Sequence, residues 1–366
     1  MIRLIGQRNI LGAGVHFSEF ADQFRSLRLL GSVLEEVDFA NPQALREAAE
    51  RSTDRDLNIW FVQHPAIERF RGTHVQWAIF EADVLPIEYI DHLKRHARAV
   101  WVPSQWGRDV LIRCGLDLQC IDVVPEGVNP AGFHPFLRPR RAREAQPFHF
   151  LAVGKFEERK AYRPLLESFR TAFDNDPSVQ LILKADYFIR ADQARTELET
   201  LVAGLGLTNV KFAWGRFQPD QLLALYTDAD AFVFPSRAEG WGLPLIEAIA
   251  SGLPVIATVY SGHSEFLRPI RGLISPVEFD LEPIQDEEYL RYWPGLAARQ
   301  ARWAAPRVES MVQLLREEVQ ARSVRQAAAL EASRVVRQRF TWRAAVDLAY
   351  ERLLERGLYT ASLRRA

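Results

Sequence analysis

The sequence predicts an α/β chain of two doubly wound, parallel-sheet domains. Three observations carry this. Short apolar runs alternate with stretches of helical period along most of the chain. The 366 residues suit two domains of ordinary size. A polar, basic, proline-bounded stretch, PFLRPRRAREAQP at Pro135–Pro147, breaks the alternation and reads as a linker. The expected layout is a first domain at 1–135, a linker at 136–147, a second domain at 148–338 and a C-terminal segment at 339–366.

Composition narrows the function. The chain is 48% hydrophobic and 25% charged, as in a soluble enzyme with sizeable cores. A net charge of −1 gives no support for a nucleic-acid partner. No apolar run is long enough to cross a membrane, and MIRLIGQRNILGAG lacks a signal-peptide pattern. Cys114 and Cys120 give no metal framework and fit a reducing cytosol, so a cytoplasmic protein is expected. Only five of the 46 basic residues are lysine: Lys94, Lys155, Lys160, Lys184 and Lys211. In a chain that uses arginine almost everywhere, a lysine marks a place for a compact ammonium.

In order, Arg3–Gly6 reads as a strand, Gly12-Ala13-Gly14 as a flexible loop and Val15–Leu29 as a helix with Phe17, Phe20, Phe24 and Leu27 on one face. A glycine pair after a strand can offer N–H groups to a phosphate, and is also an ordinary turn. Leu57–Val62 runs into Gln63-His64-Pro65, and Val75–Phe80 into Glu81-Ala82-Asp83. Polar groups past the carboxyl ends of parallel strands stand where such sheets bind ligands. His64, Glu81 and Asp83 are therefore candidates for a substrate wall, or caps of the helices after them. Ala99–Val102 is a strand, Ser104 caps a helix over Gln105–Cys114, and Ile121–Val124 is a further strand.

The second half alternates more clearly. Strands are expected at Phe148–Val153, Val179–Leu183, Val210–Phe212, Ala231–Phe234 and Pro254–Ala257, with helices at 164–173, 191–204, 219–227 and 244–250. Loops after parallel strands share one edge of the sheet. Lys155, Lys160, Lys184, Trp214–Phe217 and Glu239–Leu243 should therefore converge. Pro276–Pro294 reads as a surface excursion, followed by helices near 308–320, 322–338 and 342–356, the last capped by Thr341.

The stretch AFVFPSRAEGWGLPLIEAIASG, Ala231–Gly252, holds the densest signal. A strand, a glycine loop and a helix opened by Pro244 make an anion site, because free N–H groups and the dipole end point at one spot. Glu239 and Glu247, spaced E-x7-E, flank it. Two carboxylates beside an anion make sense if hydroxyl-rich groups lie on both sides of it, as in a sugar nucleotide.

PSRAEGWGLPLIEAIASGLPVIAT and LAVGKFEERKAYRPLLESF resemble the E-x7-E region and donor-phosphate loop of the retaining glycosyltransferases of family 4, glycosyl transferases group 1. VWVPSQWGRDVLIRCGLD and VVPEGVNPAGFHP are similar to that family's segments leading to its hinge. The resemblance covers Ala99–Thr258 well. It implies the GT-B fold: two Rossmann-like domains facing across a cleft, with the C-terminal helix crossing back to the first. It implies a donor such as UDP- or GDP-hexose, with no cofactor and no metal.

The resemblance also assigns residues. Glu247 would bind the ribose hydroxyls and Glu239 those of the donor sugar. N–H groups of Gly240, Trp241, Gly242 and Leu243 would hold sugar and diphosphate. Lys155 and Lys160 would neutralise the diphosphate, which makes Glu239 and Lys160 the catalytic candidates. Trp214, Arg216 and Phe217 would flank the base, and Gly14 would face the phosphates from the other domain. His64 or Glu81 would serve the acceptor side. The chain departs from the family pattern at Glu126, often His there, at Asn129, often Asp, and at Trp241, often Phe.

The activity implied is transfer of a hexose, with retention, to a glycan or lipid-linked acceptor in bacterial surface or exopolysaccharide synthesis, with peripheral contact at the inner membrane face. A non-catalytic nucleotide-sugar-binding member and a sugar-nucleotide epimerase are the alternatives. A pyridoxal phosphate phosphorylase would need a dedicated lysine, for which Lys184 is the spare candidate.

Overall fold

The apolar runs of the sequence become two parallel sheets in the computed structural model, which describes residues 1–27, 34–137, 147–186 and 190–359. The end of the expected first helix at 28–29, most of the expected linker (138–146) and the tail at 360–366 lie outside these residues.

The first sheet contains β1 (Ile2–Gly6), β2 (Leu34–Asp38), β3 (Leu57–Trp60), β4 (Thr73–Trp77), β5 (Ala99–Val102) and β6 (Ile121–Val123). Their order is β2-β1-β3-β4-β5-β6, all parallel. The second contains β7 (Phe148–Val153), β8 (Val179–Lys184), β9 (Val210–Phe212), β10 (Ala231–Phe234), β11 (Val255–Thr258) and β12 (Ser275–Val277). Its order is β12-β11-β10-β7-β8-β9, again all parallel. Central strands such as β5 (AVWV) and β10 (AFVF) are buried at every position, because helices cover both faces of a parallel sheet.

Strand order reverses beside β1 in the first sheet and beside β7 in the second. In the second, β7 and β10 are hydrogen-bonded neighbours although far apart in sequence. Ligands bind open α/β sheets outside the carboxyl ends of the strands at such a reversal. The topology therefore brings the loop after Val153 beside the loop after Phe234.

Contacts divide the chain into two units. One comprises Met1–Gly127, Trp293–Arg299 and the C-terminal segment from Phe340; the other comprises Val128–Tyr292 and Gln300–Arg339. In the first, the helix Trp342–Glu355 lies against the helix Gly12–Ser26. Val346, Ala349 and Leu353 share a core with Phe17, Phe20 and Phe24. A large apolar side chain in such a core contributes ~1.5–3 kcal/mol on full burial. Thr341 caps the helix, accepting from Ala344 N at 3.1 Å, and Ser104 caps its own by accepting from Gly107 N at 3.1 Å. In the same unit Trp293 packs on Tyr89, with ring centroids 5.3 Å apart, and Arg299 donates to the Leu85 carbonyl at 2.6 Å.

Three features differ from expectation. Gly12-Ala13-Gly14 is the first turn of a helix rather than a loop. β2, LEEVD, is an added edge strand whose polar sequence hid it; Glu35 and Glu36 are tied to Arg3 and Arg8. The region after Val277 contains β13 (Phe279–Pro283), which pairs antiparallel with β14 (Arg302–Pro306).

Candidate active site

The loop after β7 makes a tight turn, Glu158–Lys160, that ends at Ala161 in the left-handed region (φ 54°). The helix Tyr162–Phe173 follows at once. This fixes the direction in which Lys160 leaves the chain. The Tyr162 hydroxyl donates to the Gly154 carbonyl at 3.0 Å and ties the two ends of the loop.

The loop after β10 runs into the helix Leu243–Ala250, with Gly242 at its cap in the left-handed region (φ 99°). A third loop, after β11, forms its floor. Glu239 N donates to Ser261 Oγ at 2.8 Å, and Gly262 N donates to the Glu239 carbonyl at 2.9 Å. A Cβ on Gly262 would lie 1.8 Å from the Gly240 carbonyl oxygen, so no side chain fits there. On the other side, Arg237 pairs with Glu158 at 2.7 Å and with Glu282 of β13 at 3.2 Å. Ala304 N, in β14, donates to the Arg237 carbonyl at 3.0 Å.

The central contact joins the two strand loops. Lys160 Nζ donates to Glu239 Oε1 at 2.5 Å, and Arg159 Nη1 donates to Glu239 Oε2 at 3.0 Å. Ser236 Oγ also bonds Glu239 Oε1. Burial pushes the Glu239 carboxyl up, but Lys160 and Arg159 outweigh it and hold the group down at about 2. Burial lowers the Lys160 ammonium, offset in part by Glu239. Lys155 Nζ is half-exposed, 3.5 Å from Glu157 Oε1. The site thus sets cations, a fixed carboxylate and a helix N-terminus together.

Glu247, one turn into the helix, accepts from the buried Tyr226 hydroxyl at 3.0 Å. The Trp241 side chain packs on Phe266 at 5.0 Å and is buried, so this residue offers the site its main chain. At the ends of β8 and β9, Lys184 donates to the Gly215 carbonyl at 2.8 Å and pairs with Asp186. Its ammonium lies 4.7 Å from the Phe217 ring. Lys184 thereby shapes the turn that carries Arg216, which is exposed, and Trp214, which stacks on Phe212 at 5.0 Å.

In the first unit, Gly14 is covered by Asn9: a Cβ there would lie 2.1 Å from Asn9 Oδ1. His64 Nδ1 accepts from Ala66 N at 3.1 Å and caps the turn Pro65–Arg69. Glu81 is half-buried just past β4, and its charge adds to burial in pushing the Tyr89 phenol up.

Sequence reasoning missed two features. One is Arg159, one among 41 arginines. The other is a buried pair: His16 Nδ1 lies 3.8 Å from Glu126 Oε1, with Trp342 stacked on the imidazole at 5.6 Å. Burial pushes His16 down to about 3 and Glu126 up to about 8, so both are neutral at pH 7. Among the described residues no group of three or more His, Cys, Asp or Glu could hold a metal ion, and no helix is long and apolar enough to cross a membrane.

Residues 134–282 match the family described as glycosyl transferases group 1. Mannosylfructose-phosphate synthase of Agrobacterium fabrum is 32% identical over 185 residues, 48% of this chain and 41% of that protein. The chain's matches span less than half the length of the curated relatives. Anabaena HepE, solved in complex with UDP and glucose, superposes with a TM-score of 0.70 at 18% identity, covering 97% of this chain and 99% of that one. Sucrose-phosphate synthase of Thermosynechococcus elongatus gives a TM-score of 0.72 at 17% identity, covering 99% of each chain. Residues 134–282 are a glycosyl transferases group 1 domain, carried in a chain that has the GT-B fold.

Proposed function

We propose that the protein is a retaining glycosyltransferase of family 4 that moves a hexose from a nucleoside diphosphate sugar to a hydroxyl of a glycan or lipid-linked acceptor. The observation that carries this is the Lys160–Glu239–Arg159 cluster at the strand-order reversal, beside the N-terminus of the helix that bears Glu247. The complexes of HepE with UDP and with UDP-glucose support the choice of donor.

In this reading Glu247 takes the ribose hydroxyls and Glu239 the hydroxyls of the sugar. Trp214, Arg216 and Phe217 flank the base. As the bond from the anomeric carbon to the diphosphate oxygen breaks, negative charge grows on the leaving group. Lys160, Lys155 and the N–H groups of Gly240–Leu243 meet that charge with fixed donors, the arrangement that stabilises a transition state most. The acceptor hydroxyl attacks the same face of the sugar and passes its proton to the departing phosphate. No enzyme nucleophile is assigned. These donors suffice for the leaving group, so the reaction is proposed to need no metal.

On the first unit, Glu81 and His64 stand past the carboxyl ends of β4 and β3 and are proposed to meet the acceptor. Surface or exopolysaccharide synthesis at the inner membrane face is the proposed setting.

A thermal-shift screen against UDP, GDP and their hexose esters identifies the donor. Turnover is then measured for Glu239→Ala and with a chelator present. Transfer is expected to vanish in the variant while nucleotide binding stays, and to persist with chelator. Near-normal turnover of the variant overturns the catalytic assignment. Loss with chelator, restored by a divalent ion, overturns the metal-free one.

A further inference from the structure

Arg159 lies between the lysine that the sequence singles out and the loop that carries Glu239. Its side chain is 10% exposed, and its guanidinium is held by protein groups on two sides. Nη1 donates to the Ala238 carbonyl at 2.7 Å and to Glu239 Oε2 at 3.0 Å; Nη2 donates to Glu157 Oε2 at 3.0 Å. The main chain of the same residue makes a second bridge. Its carbonyl accepts from Arg237 N at 2.7 Å and from Ser236 Oγ at 3.2 Å.

The two cations on Glu239 are not equivalent. The guanidinium is a planar fork, already aligned on a main-chain carbonyl and two carboxylates. The ammonium of Lys160 is a point charge on a rotatable stem, able to exchange one oxygen partner for another. An arriving diphosphate competes for Lys160. Were Lys160 the only cation on Glu239, the carboxylate would keep just the Ser236 hydroxyl as the donor bound, and a buried charge without a counter-ion is costly.

We propose that Arg159 is a positioning residue: it holds Glu239 in place through Oε2 while Lys160 passes from Oε1 to the diphosphate. The hand-over rests on the donor reading above; the hold on Glu239 does not. With the guanidinium in place, Glu239 keeps its charge and direction for the sugar hydroxyls, and the cation at Lys160 is available where the leaving group forms.

Two measurements test this and separate it from the donor reading. The first uses no ligand. Side-chain carboxyl carbons of glutamate are followed by NMR against pH in the wild type, R159Q and R159K, with Glu239 identified by its missing signal in E239Q. In the wild type Glu239 stays ionised as pH falls through the ordinary glutamate range. In R159Q its proton returns about 1 pH unit or more higher, and R159K lies between. An unchanged Glu239 titration in R159Q overturns the proposal. If R159Q does not fold, R159M carries the same comparison, and a wild-type titration in it has the same meaning.

The second is calorimetry with UDP, GDP and their glucose and mannose esters. R159Q should bind the nucleoside diphosphate as the wild type does and lose roughly tenfold for the sugar ester, because a hydrogen bond of the fixed carboxylate to the sugar is lost. R159K should restore part of that loss. A tenfold fall for the nucleoside diphosphate itself would make Arg159 a phosphate ligand and overturn the positioning role. A wild type that binds none of these compounds overturns the donor reading, while the titration still decides the role of Arg159.

Discussion

Lys160 Nζ and Glu239 Oε1 meet at 2.5 Å across 79 positions of sequence, and each charge is a large part of what the other has for a partner. Each is buried, and neither charge would persist there alone. The pair exists because β10 lies directly beside β7, so that the loops after the two strands share one corner.

Lys160→Met removes the ammonium and keeps much of the apolar stem. A charge-assisted hydrogen bond contributes ~1.5–3 kcal/mol, so nucleoside diphosphate affinity should fall roughly 10–100-fold. Calorimetric titration of UDP and GDP checks this. Unchanged affinity would remove Lys160 from the phosphate site.

Tyr226→Phe deletes the hydroxyl that donates to Glu247 at 3.0 Å and leaves the ring on Phe232. One such bond is worth ~0.5–1.5 kcal/mol, so binding should weaken about 2–10-fold. The loss should appear with the ribonucleoside diphosphate and shrink with its 2′-deoxy counterpart. Equal losses for the two would detach Glu247 from the ribose.

Glu126→Gln tests the buried pair through stability. Glu126 is raised in the folded protein to about 8, from an ordinary 4.5, so between those values the folded state holds a proton that the unfolded state has lost. Stability therefore falls as pH rises through that window. His16, lowered to about 3 from 6.5, acts in the opposite sense: stability is gained as pH rises from 3 to 6.5. The glutamine variant should match the wild type near pH 4 and gain on it toward pH 8, seen as a rising difference in melting temperature. A constant difference across that range would mean that Glu126 does not titrate as burial demands.

Gly262→Ala sets a methyl 1.8 Å from the Gly240 carbonyl oxygen. Forcing it in should cost ~1–3 kcal/mol and move the main chain that holds Glu239. A lower melting temperature and a loss of sugar-ester affinity are expected together. A variant normal in both would show that the floor loop does not position Glu239.

Much of this arrangement is legible in the sequence. Ala99–Val102, Phe148–Val153 and Ala231–Phe234 are strands over the bounds that their apolar runs suggest. Lys160 stands out because lysine is scarce. The same scarcity argument passes over Arg159, whose carboxylate partner Glu239 lies 80 residues away in sequence. His16 is hidden by its neighbours: it follows Gly14 on the face formed by Phe17, Phe20 and Phe24, where periodicity expects only core. β2 is hidden because an edge strand with charged partners has no reason to look apolar.

Ala161 keeps a left-handed backbone without being glycine. A side chain there strains the folded loop by ~1–2 kcal/mol, while glycine would cost ~0.5–1 kcal/mol through the freedom it adds to the unfolded chain. The two effects oppose each other, so an alanine-to-glycine exchange nets between nothing and a gain of about 1.5 kcal/mol, a rise of a few degrees at most in melting temperature. The exchange would instead loosen the joint next to Lys160. Anyone engineering this protein for heat tolerance would therefore find position 161 faint in a melting assay and audible in the temperature dependence of turnover.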